Sequence, residues 1–358
     1  MLCPSCSTEN RPGATKCRQC GSPLKRAPGK EIIEVTPSPD ITELSERYFL
    51  DEQKIAGRFK IIKKIGGGGM GEIFLARDVK KRRRVAIKRI AIDSRQNPEA
   101  RRLFIREARA ASQLTHPNIC AIHEVDEAGQ SQYIVMAYID GVTLDRLLER
   151  QPLPIAMTVA IGRQICAAMI QAHIQGIIHG DLKPGNIMIG RNGMVTILDF
   201  GLARISAHTL LPTDGQKDAE MVEKGFVLGT AAYMSPEQIR GLELDRRSDI
   251  FSFGSLMAEM LEGSNPFEDK DIAAILDHIV HREVRLTRPM PPFLQSIVLK
   301  MLRKDRHQRF SDFAQVLAGL DRLEMTGPAV KQELAKLVRQ AKRPRPLARR
   351  RLQKIPRP

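Results

Sequence analysis

Four cysteines close to the N-terminus are arranged as two CxxC pairs. Cys3-Pro-Ser-Cys6 is followed, after ten further residues, by Cys17-Arg-Gln-Cys20, and Gly21 comes directly after the second pair. A CxxC sequence forms a tight turn that points two thiolates at one centre, so two such turns complete the tetrahedral coordination of Zn²⁺. The segment has few aliphatic residues, which favours a metal over two disulfides or four unrelated thiols as the reason it folds. We therefore predict a structural zinc site whose four positions are all filled by protein ligands.

A glycine-rich segment further along the chain is suited to binding phosphate. Gly66, Gly68 and Gly71 form a GxGxxG sequence, which dinucleotide-binding folds and ordinary turns also contain. The residues that follow, Glu72-Ile-Phe-Leu-Ala-Arg, continue as a strand rather than a helix, which indicates a hairpin folded over a nucleotide. Glycine lets backbone N–H groups approach phosphates without interference from Cβ. The residues predicted to contact the nucleotide here are Ile65, Gly66, Gly67, Gly68, Gly69, Met70, Gly71 and Ile73.

The next strand and helix supply a cation and a carboxylate. Strand alternation places Ala86 and Lys88 on one face, so that Ala86 can cover an adenine while Lys88 reaches the α- and β-phosphates. A strand that ends in a surface lysine would fit the same pattern. On the following helix Glu107 is an acid on an otherwise apolar stripe; Lys88 is the obvious partner for it, and a solvated boundary position is the alternative. The stripe consists of Phe104, Glu107, Ala108, Ala111 and Leu114.

The most specific pattern lies in the middle of the chain. Asp181 is followed two residues later by Lys183 and five residues later by Asn186, and Asp199-Phe-Gly comes after a hairpin. This combination resembles the catalytic segments of the eukaryotic-like protein kinase family, in its bacterial serine/threonine branch. The resemblance covers about three quarters of the chain. It continues through residues 229–237, Asp249 and Arg309.

The resemblance implies a role for each polar side chain of these motifs. Asp181 would orient the hydroxyl of a protein substrate and accept its proton, and Lys183 would neutralise charge on the γ-phosphoryl group of ATP. Asn186 and Asp199 would hold Mg²⁺ or Mn²⁺. Lys88, fixed by Glu107, would position the α- and β-phosphates. Lys183 and Thr230 match the serine/threonine pattern rather than the tyrosine pattern.

Further roles follow from the same resemblance. Met136 would be the gatekeeper, and the backbone of residues 137–139, including Ala137 and Ile139, would meet the adenine of ATP, with Met188 also in the nucleotide site. In the C-terminal lobe, Glu237 and Arg309 should form a buried ion pair, and Asp249 should brace the catalytic loop.

Three departures from the family pattern affect the interpretation. Gly180 stands directly before Asp181, where many family members have an arginine that receives a phosphate from the activation loop. We therefore expect activity that does not depend on phosphorylation of that loop. Ala137 replaces a common acid, which backbone recognition of adenine should tolerate. Ser206, Thr209 and Thr213 lie in the loop and are potential phosphorylation sites without a predicted effect.

Composition divides the chain into segments. The net charge is +16, and residues 331–358 contribute eleven basic residues against one acid. We predict a zinc ribbon at residues 1–24, a linker at 25–56, a kinase domain at 57–323, and a basic, largely disordered tail at 324–358, of which KQELAKLVRQAK can form a helix. The predicted fold class is α+β, with a β-rich N-lobe and a mostly helical C-lobe. No apolar run of 18 residues or secretory signal is present, so the predicted location is cytoplasmic.

Other functions fit parts of the sequence. A catalytically weak or dead scaffold of the same fold usually lacks one of the catalytic residues, and all are present here. A nucleic-acid-associated adaptor would use the zinc ribbon and the basic tail, but the ribbon has no aromatic residue to stack on bases. A kinase of small molecules is disfavoured by residues 229–237, which follow the pattern for protein substrates. The predicted partners are Ser/Thr-containing proteins, an adaptor partner for the ribbon, and polyanions or acidic lipids for the tail.

Overall fold

The computed structural model describes most of the chain, in two units. The described residues are 8, 15–22, 54–55, 57–68, 71–90, 98–128, 131–149, 151–200, 231–325 and 327–342. The first unit is Met1–Lys54 and the second is Ile55–Pro358, so the larger unit begins two residues before the domain start predicted at residue 57. Cys3, Cys6, Gly69, Met70, the activation-loop residues Ser206, Thr209 and Thr213, and the last part of the tail lie outside the described residues.

The N-lobe is built on a sheet of six strands within the described residues, in the order β1-β2-β3-β4-β6-β5. The strands from β2 to β6 pair antiparallel with their neighbours, as short connections between successive strands require. Their bounds are β1 (Lys54–Ile55), β2 (Phe59–Gly68), β3 (Gly71–Asp78), β4 (Arg83–Ile90), β5 (Ile122–Ala128) and β6 (Ser131–Ala137).

The glycine-rich segment forms the hairpin between β2 and β3. Gly68 pairs with Gly71, and Gly66 pairs with Ile73, so the chain continues from the glycines into a strand. The register shifts between Lys64 and Gly66, which places an irregularity at the start of the glycine run. The prediction of a strand rather than a helix after GxGxxG is therefore confirmed.

One arginine ties three strands of the N-lobe together. The guanidinium of Arg58 donates two hydrogen bonds to Asp78, at 3.0 and 2.7 Å, and a third to Glu124 on β5, at 2.7 Å. Asp78 ends β3, is fully buried, and also accepts from the backbone N–H groups of Lys80 and Lys81. The guanidinium of Arg58 lowers the pKa of Asp78 to about 2, against the opposing effect of burial. The network fixes the start of β2 to the end of β3.

The C-lobe contains helices and a small three-stranded sheet. Helix α1 (Pro98–Ala111) precedes β5 and belongs to the N-lobe. The C-lobe helices in the described part are α2 (Leu144–Leu148), α3 (Ile155–Ile174), α4 (Pro236–Ile239), α5 (Arg246–Glu262), α6 (Ile272–His281), α7 (Pro292–Met301), α8 (Phe313–Asp321) and α9 (Pro328–Ala341). The sheet has the order β7-β8-β9, with β7 (Gly141–Thr143), β8 (Ile187–Gly190) and β9 (Val195–Ile197).

The helix termini follow from local sequence. Asp245, Asp271 and Asp312 are N-caps whose carboxylates accept hydrogen bonds from backbone N–H groups two or three residues ahead. Helix α5 ends at Gly263, whose φ of +88° is the left-handed conformation that glycine adopts without strain. These short-range signals determine where α5, α6 and α8 begin and where α5 ends.

Helices α3 and α5 form the middle of the C-lobe core. Ile161, Ile165 and Met169 on α3 and Phe251 and Phe253 on α5 are completely buried in one cluster. Within the described residues, α3 is also the one helix long and apolar enough to cross a membrane. Its burial in this cluster explains that apolar composition, because a central core helix is apolar on most of its faces.

The C-terminal boundary predicted at residue 323 is too early. Helix α9 lies beyond it and packs on α2 and α3 and on strands β7 and β8. Leu334, Val338 and Ala341 are buried in the main core cluster, so residues 328–342 belong to the C-lobe and not to a disordered tail. The predicted helix KQELAKLVRQAK is confirmed. The composition did not reveal that this helix packs against the C-lobe. The prediction of disorder for residues 343–358 lies outside the described residues.

In the N-terminal unit, the second CxxC pair forms a tight turn. The N–H of Gly21 donates to the carbonyl of Cys17 at 3.0 Å, and the N–H of Cys17 donates to the carbonyl of Ser22 at 2.9 Å. Gly21 has a φ of +68°, a left-handed conformation that glycine adopts without strain where the turn reverses. Cys17 is buried and Cys20 is exposed.

Candidate active site

Asp181, Lys183 and Asn186 converge at the loop before β8. The carboxylate oxygen Oδ2 of Asp181 lies 2.8 Å from Nζ of Lys183 and 2.9 Å from Nδ2 of Asn186. Asn186 is held in place because Pro184–Asn186 form one turn of 3-10 helix that leads into β8, and its Nδ2 also donates to the carbonyl of Asp181 at 2.8 Å. The loop thus presents a carboxylate with a cation on one side and an amide on the other.

Asp249 on α5 fixes the backbone of this loop. Its two carboxylate oxygens accept from the N–H groups of His179, at 2.9 Å, and Gly180, at 2.8 Å. Nε2 of His173 on α3 donates to the same carboxylate at 2.8 Å. Burial alone would raise the pKa of Asp249, but these hydrogen bonds and the nearby histidines hold it below its ordinary value. The prediction that Asp249 braces the catalytic loop is confirmed.

His179 connects the loop to the Asp199-Phe200 segment. The N–H of Asp181 donates to Nδ1 of His179 at 3.2 Å, and Nε2 lies 2.9 Å from the carbonyl of Leu198. In this arrangement Nδ1 accepts a hydrogen bond and Nε2 donates one. The His179 ring also meets the buried ring of Phe200 edge-on, with centroids 4.7 Å apart. The loop that contains Asp181 and the segment that contains Asp199 are therefore rigidly joined.

Lys88 pairs with Asp199 and not with Glu107. Nζ of Lys88 lies 2.8 Å from Oδ2 of Asp199, and the lysine side chain is 6% exposed. The carboxylate of Glu107 lies 3.4 Å from the exposed guanidinium of Arg106, its neighbour in sequence. The predicted Lys88–Glu107 pair is therefore wrong for this structure. The prediction that Glu107 lies on the apolar side of α1 agrees with the structure, since its side chain is only 15% exposed.

Asp199 has an unusual backbone conformation. Its φ is +54°, in the left-handed region that few non-glycine residues adopt. The surrounding contacts are the Lys88 ion pair, the buried Phe200 ring and the hydrogen bond from the N–H of Leu198 to the carbonyl of Asn186, at 2.8 Å. These contacts hold Asp199 in this conformation, with its carboxylate beside Lys88.

Apart from Ile139, the predicted nucleotide residues that the structure describes lie on strands of both lobes. Ala86 pairs with Met136 across β4 and β6, and both are buried in a small cluster with Ala108. Met188 lies on β8 at the C-lobe side. In the hinge, the N–H of Ala137 donates to the carbonyl of Ala121 at 2.9 Å, whereas the N–H of Ile139 makes no hydrogen bond to the described residues. That amide is therefore available to a ligand.

The donor set fits a hard divalent cation. Both Nδ2 hydrogens of Asn186 are used by Asp181, which leaves its Oδ1 as an acceptor, and Asp199 adds a carboxylate. Carboxylate and amide oxygens are the protein ligands that Mg²⁺ prefers. Asp199 and Asn186 are adjacent through the hydrogen bond between the N–H of Leu198 and the carbonyl of Asn186.

Gly180 has a left-handed backbone, with a φ of +73°. Its N–H is held by Asp249, and its carbonyl accepts from Nε2 of Gln238 at 2.8 Å. Gln238 also completes a capping box with Ser235 at the start of α4. Glycine fits this conformation without strain, which the sequence alone did not indicate.

A buried ion pair anchors the lower part of the C-lobe. Arg309 donates to Glu237 through Nη1 at 2.7 Å and through Nη2 at 2.9 Å, and Ser248 adds a hydrogen bond at 2.7 Å. The pKa of Glu237 is raised by burial but lowered further by Arg309, so it stays below its ordinary value. This predicted pair is confirmed.

Sequence reasoning missed two supporting side chains, His173 and Gln238. His173 gave a weak signal, because one histidine on an apolar helix is more often an ordinary core residue. Gln238 gave a local signal in Ser235-Pro-Glu-Gln238, which is a capping-box sequence, but nothing in that sequence shows that its amide reaches Gly180.

Comparisons with known proteins agree with this geometry. The family model described as protein kinase domain matches residues 59–319. The serine/threonine-protein kinase PknB of Mycolicibacterium smegmatis is 37% identical over 280 residues, which is 76% of this chain and 44% of that protein. The serine/threonine-protein kinase PrkC of Bacillus subtilis is 36% identical over 264 residues, which is 72% of this chain and 39% of that protein. The chain therefore spans less than half the length of these curated relatives.

Proposed function

Because this chain belongs to the protein kinase family and contains a protein serine/threonine kinase domain, we propose that it transfers the γ-phosphoryl group of Mg-ATP to Ser and Thr hydroxyls of other proteins. The observation that best supports this function is the environment of Asp181. Its carboxylate lies between Lys183 and Asn186 on a loop held by Asp249. A carboxylate that is fixed in this way can orient a hydroxyl group and accept its proton.

The proposed mechanism assigns each step to a side chain of this site. Asp181 takes the proton as the hydroxyl oxygen forms a bond to the γ-phosphorus, and the bond between the γ-phosphorus and the β–γ bridging oxygen breaks to leave ADP. Lys183 stabilises negative charge on the phosphoryl group in transfer. Lys88 moves from Asp199 to the α- and β-phosphates, and Glu107 then becomes its partner. Asn186 and Asp199 would hold Mg²⁺, which when bound neutralises charge on the phosphates.

Nucleotide recognition is assigned to the cleft. The free N–H of Ile139 and the carbonyl of Ala137 would bind the adenine edge, with Ala86 and Met188 above and below the ring and Met136 at its back. The backbone of residues 65–71 would cover the phosphates. Recognition through backbone groups explains why Ala137 is acceptable where an acid is common in the family.

The activity is proposed to be independent of activation-loop phosphorylation. Gly180 offers no cation beside Asp181 for a phosphate to pair with. The backbone at Gly180 is instead held by a hydrogen bond to Asp249 and one from Gln238. If Ser206, Thr209 and Thr213 are changed together to Ala, turnover on an added substrate should stay within about threefold of wild type.

Two proposals concern the segments outside the kinase domain. Cys3, Cys6, Cys17 and Cys20 would bind one structural Zn²⁺, for which the turn at residues 17–22 is a suitable half-site, and the resulting zinc ribbon would bind an adaptor partner. The basic residues 343–358 would bind polyanions or acidic lipids with strong salt dependence. A cytoplasmic location of the kinase domain is part of the proposal, since ATP is the phosphoryl donor.

The direct test of the proposed activity uses purified protein, γ-labelled ATP, Mg²⁺ and a generic basic protein. Label should appear on phosphoserine and phosphothreonine and not on phosphotyrosine. Transfer to small metabolites but not to proteins would support the small-molecule alternative. Protein that binds Mg-ATP but transfers nothing would support a scaffold of the same fold.

A further inference from the structure

Helix α9 lies outside the part of the chain that matches the family model, which ends at residue 319. It nevertheless belongs to the C-lobe core, because Leu334 is 1% exposed and Val338 is completely buried. It packs against β7 and β8, the two strands that follow the hinge and the catalytic loop respectively. Its position therefore connects an additional C-lobe element to the segments that follow the hinge and the catalytic loop.

The contact between α9 and the turn that joins β8 to β9 is very close. Gly193 in this turn has a φ of +75°, and a Cβ atom there would lie 2.6 Å from the backbone carbonyl of Lys331 on α9. A residue other than glycine would push the helix away from the turn. Strand β8 contains Met188 and follows Asn186, so α9 supports the strand that holds two proposed nucleotide and metal contacts.

The C-terminal end of α9 reaches the residue after the hinge. Nζ of Lys342 forms an ion pair with Oδ1 of Asp140. The other carboxylate oxygen of Asp140 lies 3.1 Å from Nε of Arg191, whose N–H donates to the Asp140 carbonyl at 3.2 Å. We call Asp140, Arg191 and Lys342 the hinge clamp. Asp140 directly follows Ile139, whose N–H is the free hinge donor.

The charges in the clamp support a persistent interaction. The hydrogen bond from Lys342, together with the charges of Lys342 and Arg191, lowers the pKa of Asp140 below its usual value, so its carboxylate stays ionised at neutral pH. The side chains of Lys342 and Asp140 are 25% and 37% exposed, so the pair is partly solvated and its contribution is modest.

We propose that Lys342, through Asp140, positions the hinge for adenine binding, so that α9 is an extra positioning element of this kinase domain. The inference rests on the proposed adenine site at residues 137–139. Lys342 touches neither the nucleotide nor the protein substrate in this scheme. Its loss should weaken nucleotide binding without changing the phosphoryl-transfer step itself.

The test is the affinity of the full chain for a fluorescent ATP analogue, together with KM for ATP and kcat. Lys342→Met should raise both Kd and KM for ATP about threefold and leave kcat and the KM for protein substrate unchanged. Lys342→Arg, which keeps the cation, should restore the wild-type values. Lys336→Met is the matched control, because Lys336 is an exposed lysine on the same helix.

A double-mutant cycle tests whether Lys342 acts on nucleotide binding through Asp140. Asp140→Asn should weaken nucleotide binding by a similar factor, and Asp140→Asn combined with Lys342→Met should cost no more than the larger single effect. Wild-type affinity in Lys342→Met, or equal losses in Lys342→Met and Lys336→Met, would overturn the hinge clamp while leaving the kinase proposal intact. Absence of nucleotide binding by the wild type would remove the proposed adenine site, and this inference with it.

Discussion

The ammonium group of Lys88 lies 2.8 Å from the carboxylate of Asp199, although the same lysine was predicted to pair with Glu107. The Glu107 side chain is only 15% exposed, and in the described part of the chain its carboxylate forms an ion pair with Arg106. Under the proposed mechanism one lysine would serve two acids in turn. It pairs with Asp199 in this structure, and it would move to the phosphates of ATP and to Glu107 when Mg-ATP binds.

Glu107→Gln tests this exchange of partners. The variant cannot hold the Lys88 ammonium by charge when Asp199 is engaged elsewhere, so kcat/KM should fall about tenfold. The thermal stability of the nucleotide-free protein should change little, because Lys88 is paired with Asp199 in that state. Arg106→Gln is the control for the existing contact of Glu107 and should keep wild-type kcat/KM. Equal activity of Glu107→Gln and wild type would show that Glu107 has no part in the reaction.

The Lys88 result also shows the limit of what the sequence could predict. Local patterns identified the hairpin at Gly66–Gly71, the burial of Glu107 and the loop that presents Asp181, because each depends on neighbours within a few residues. The partner of Lys88 depends on where α1 lies relative to Asp199, which is 111 residues away from Lys88. No local pattern encodes that distance.

Helix α9 gives a second example. Its helical periodicity was readable from KQELAKLVRQAK, but its docking depends on Gly193, in a turn more than 130 residues earlier. A basic segment after an apparent domain end has the composition of a solvated tail. The apolar residues Leu334 and Val338 were the available signal that the helix packs against the domain. That signal could not be interpreted from the sequence, because the surface they pack on is formed by distant parts of the chain.

The Arg58–Asp78 pair should make N-lobe stability depend on pH at the acidic end. The pKa of Asp78 is lowered from its usual 3.8 to about 2 in the folded protein, so the unfolded state binds protons first as pH falls. The stabilisation is present above pH 4 and is lost as the pH falls toward 2, with a full value of about 2 kcal/mol. Asp78→Asn should reduce the free energy of unfolding by about this amount at neutral pH.

Denaturant unfolding of wild type and Asp78→Asn across the acidic range measures this effect. The difference between the two proteins should shrink steadily below pH 4. Glu333→Gln, which changes an exposed acid on α9, should match wild type throughout. A difference between wild type and Asp78→Asn that stayed constant down to pH 2 would assign the loss to packing rather than to charge.

Gly180→Ala separates backbone strain from effects on the active site. Alanine at a φ of +73° should lower the free energy of unfolding by about 1 kcal/mol. Gly176, just before the loop, has a φ of +72° with open space around it, so Gly176→Ala should show the same loss of stability. Turnover should fall in Gly180→Ala alone, because only Gly180 is hydrogen-bonded to Asp249 and Gln238. Equal turnover in the two variants would mean that the bonds at Gly180 do not position Asp181.

One zinc ion should be present per chain, as measured by elemental analysis of the purified protein. Cys20→Ser, or deletion of residues 1–24, should remove it, because each leaves fewer than four thiolates. Kinase turnover of the deleted protein should remain close to wild type. Cys166→Ala is the control for loss of a thiol, since Cys166 is buried on α3 and should not affect the metal content. Zinc that persists after deletion of residues 1–24 would rule out the assignment to the four cysteines.

The most direct measurement of the central claim compares nucleotide binding with phosphoryl transfer in Asp181→Asn. The asparagine keeps the shape of the side chain and its contact with Asn186, but it cannot accept a proton. The account predicts Mg-ATP affinity within about twofold of wild type and a loss in kcat of at least about 100-fold, with Glu243→Gln, an exposed acid on the C-lobe, unchanged in both. Transfer by Asp181→Asn at the wild-type rate would contradict the account, because the carboxylate between Lys183 and Asn186 would then not be the group that accepts the proton.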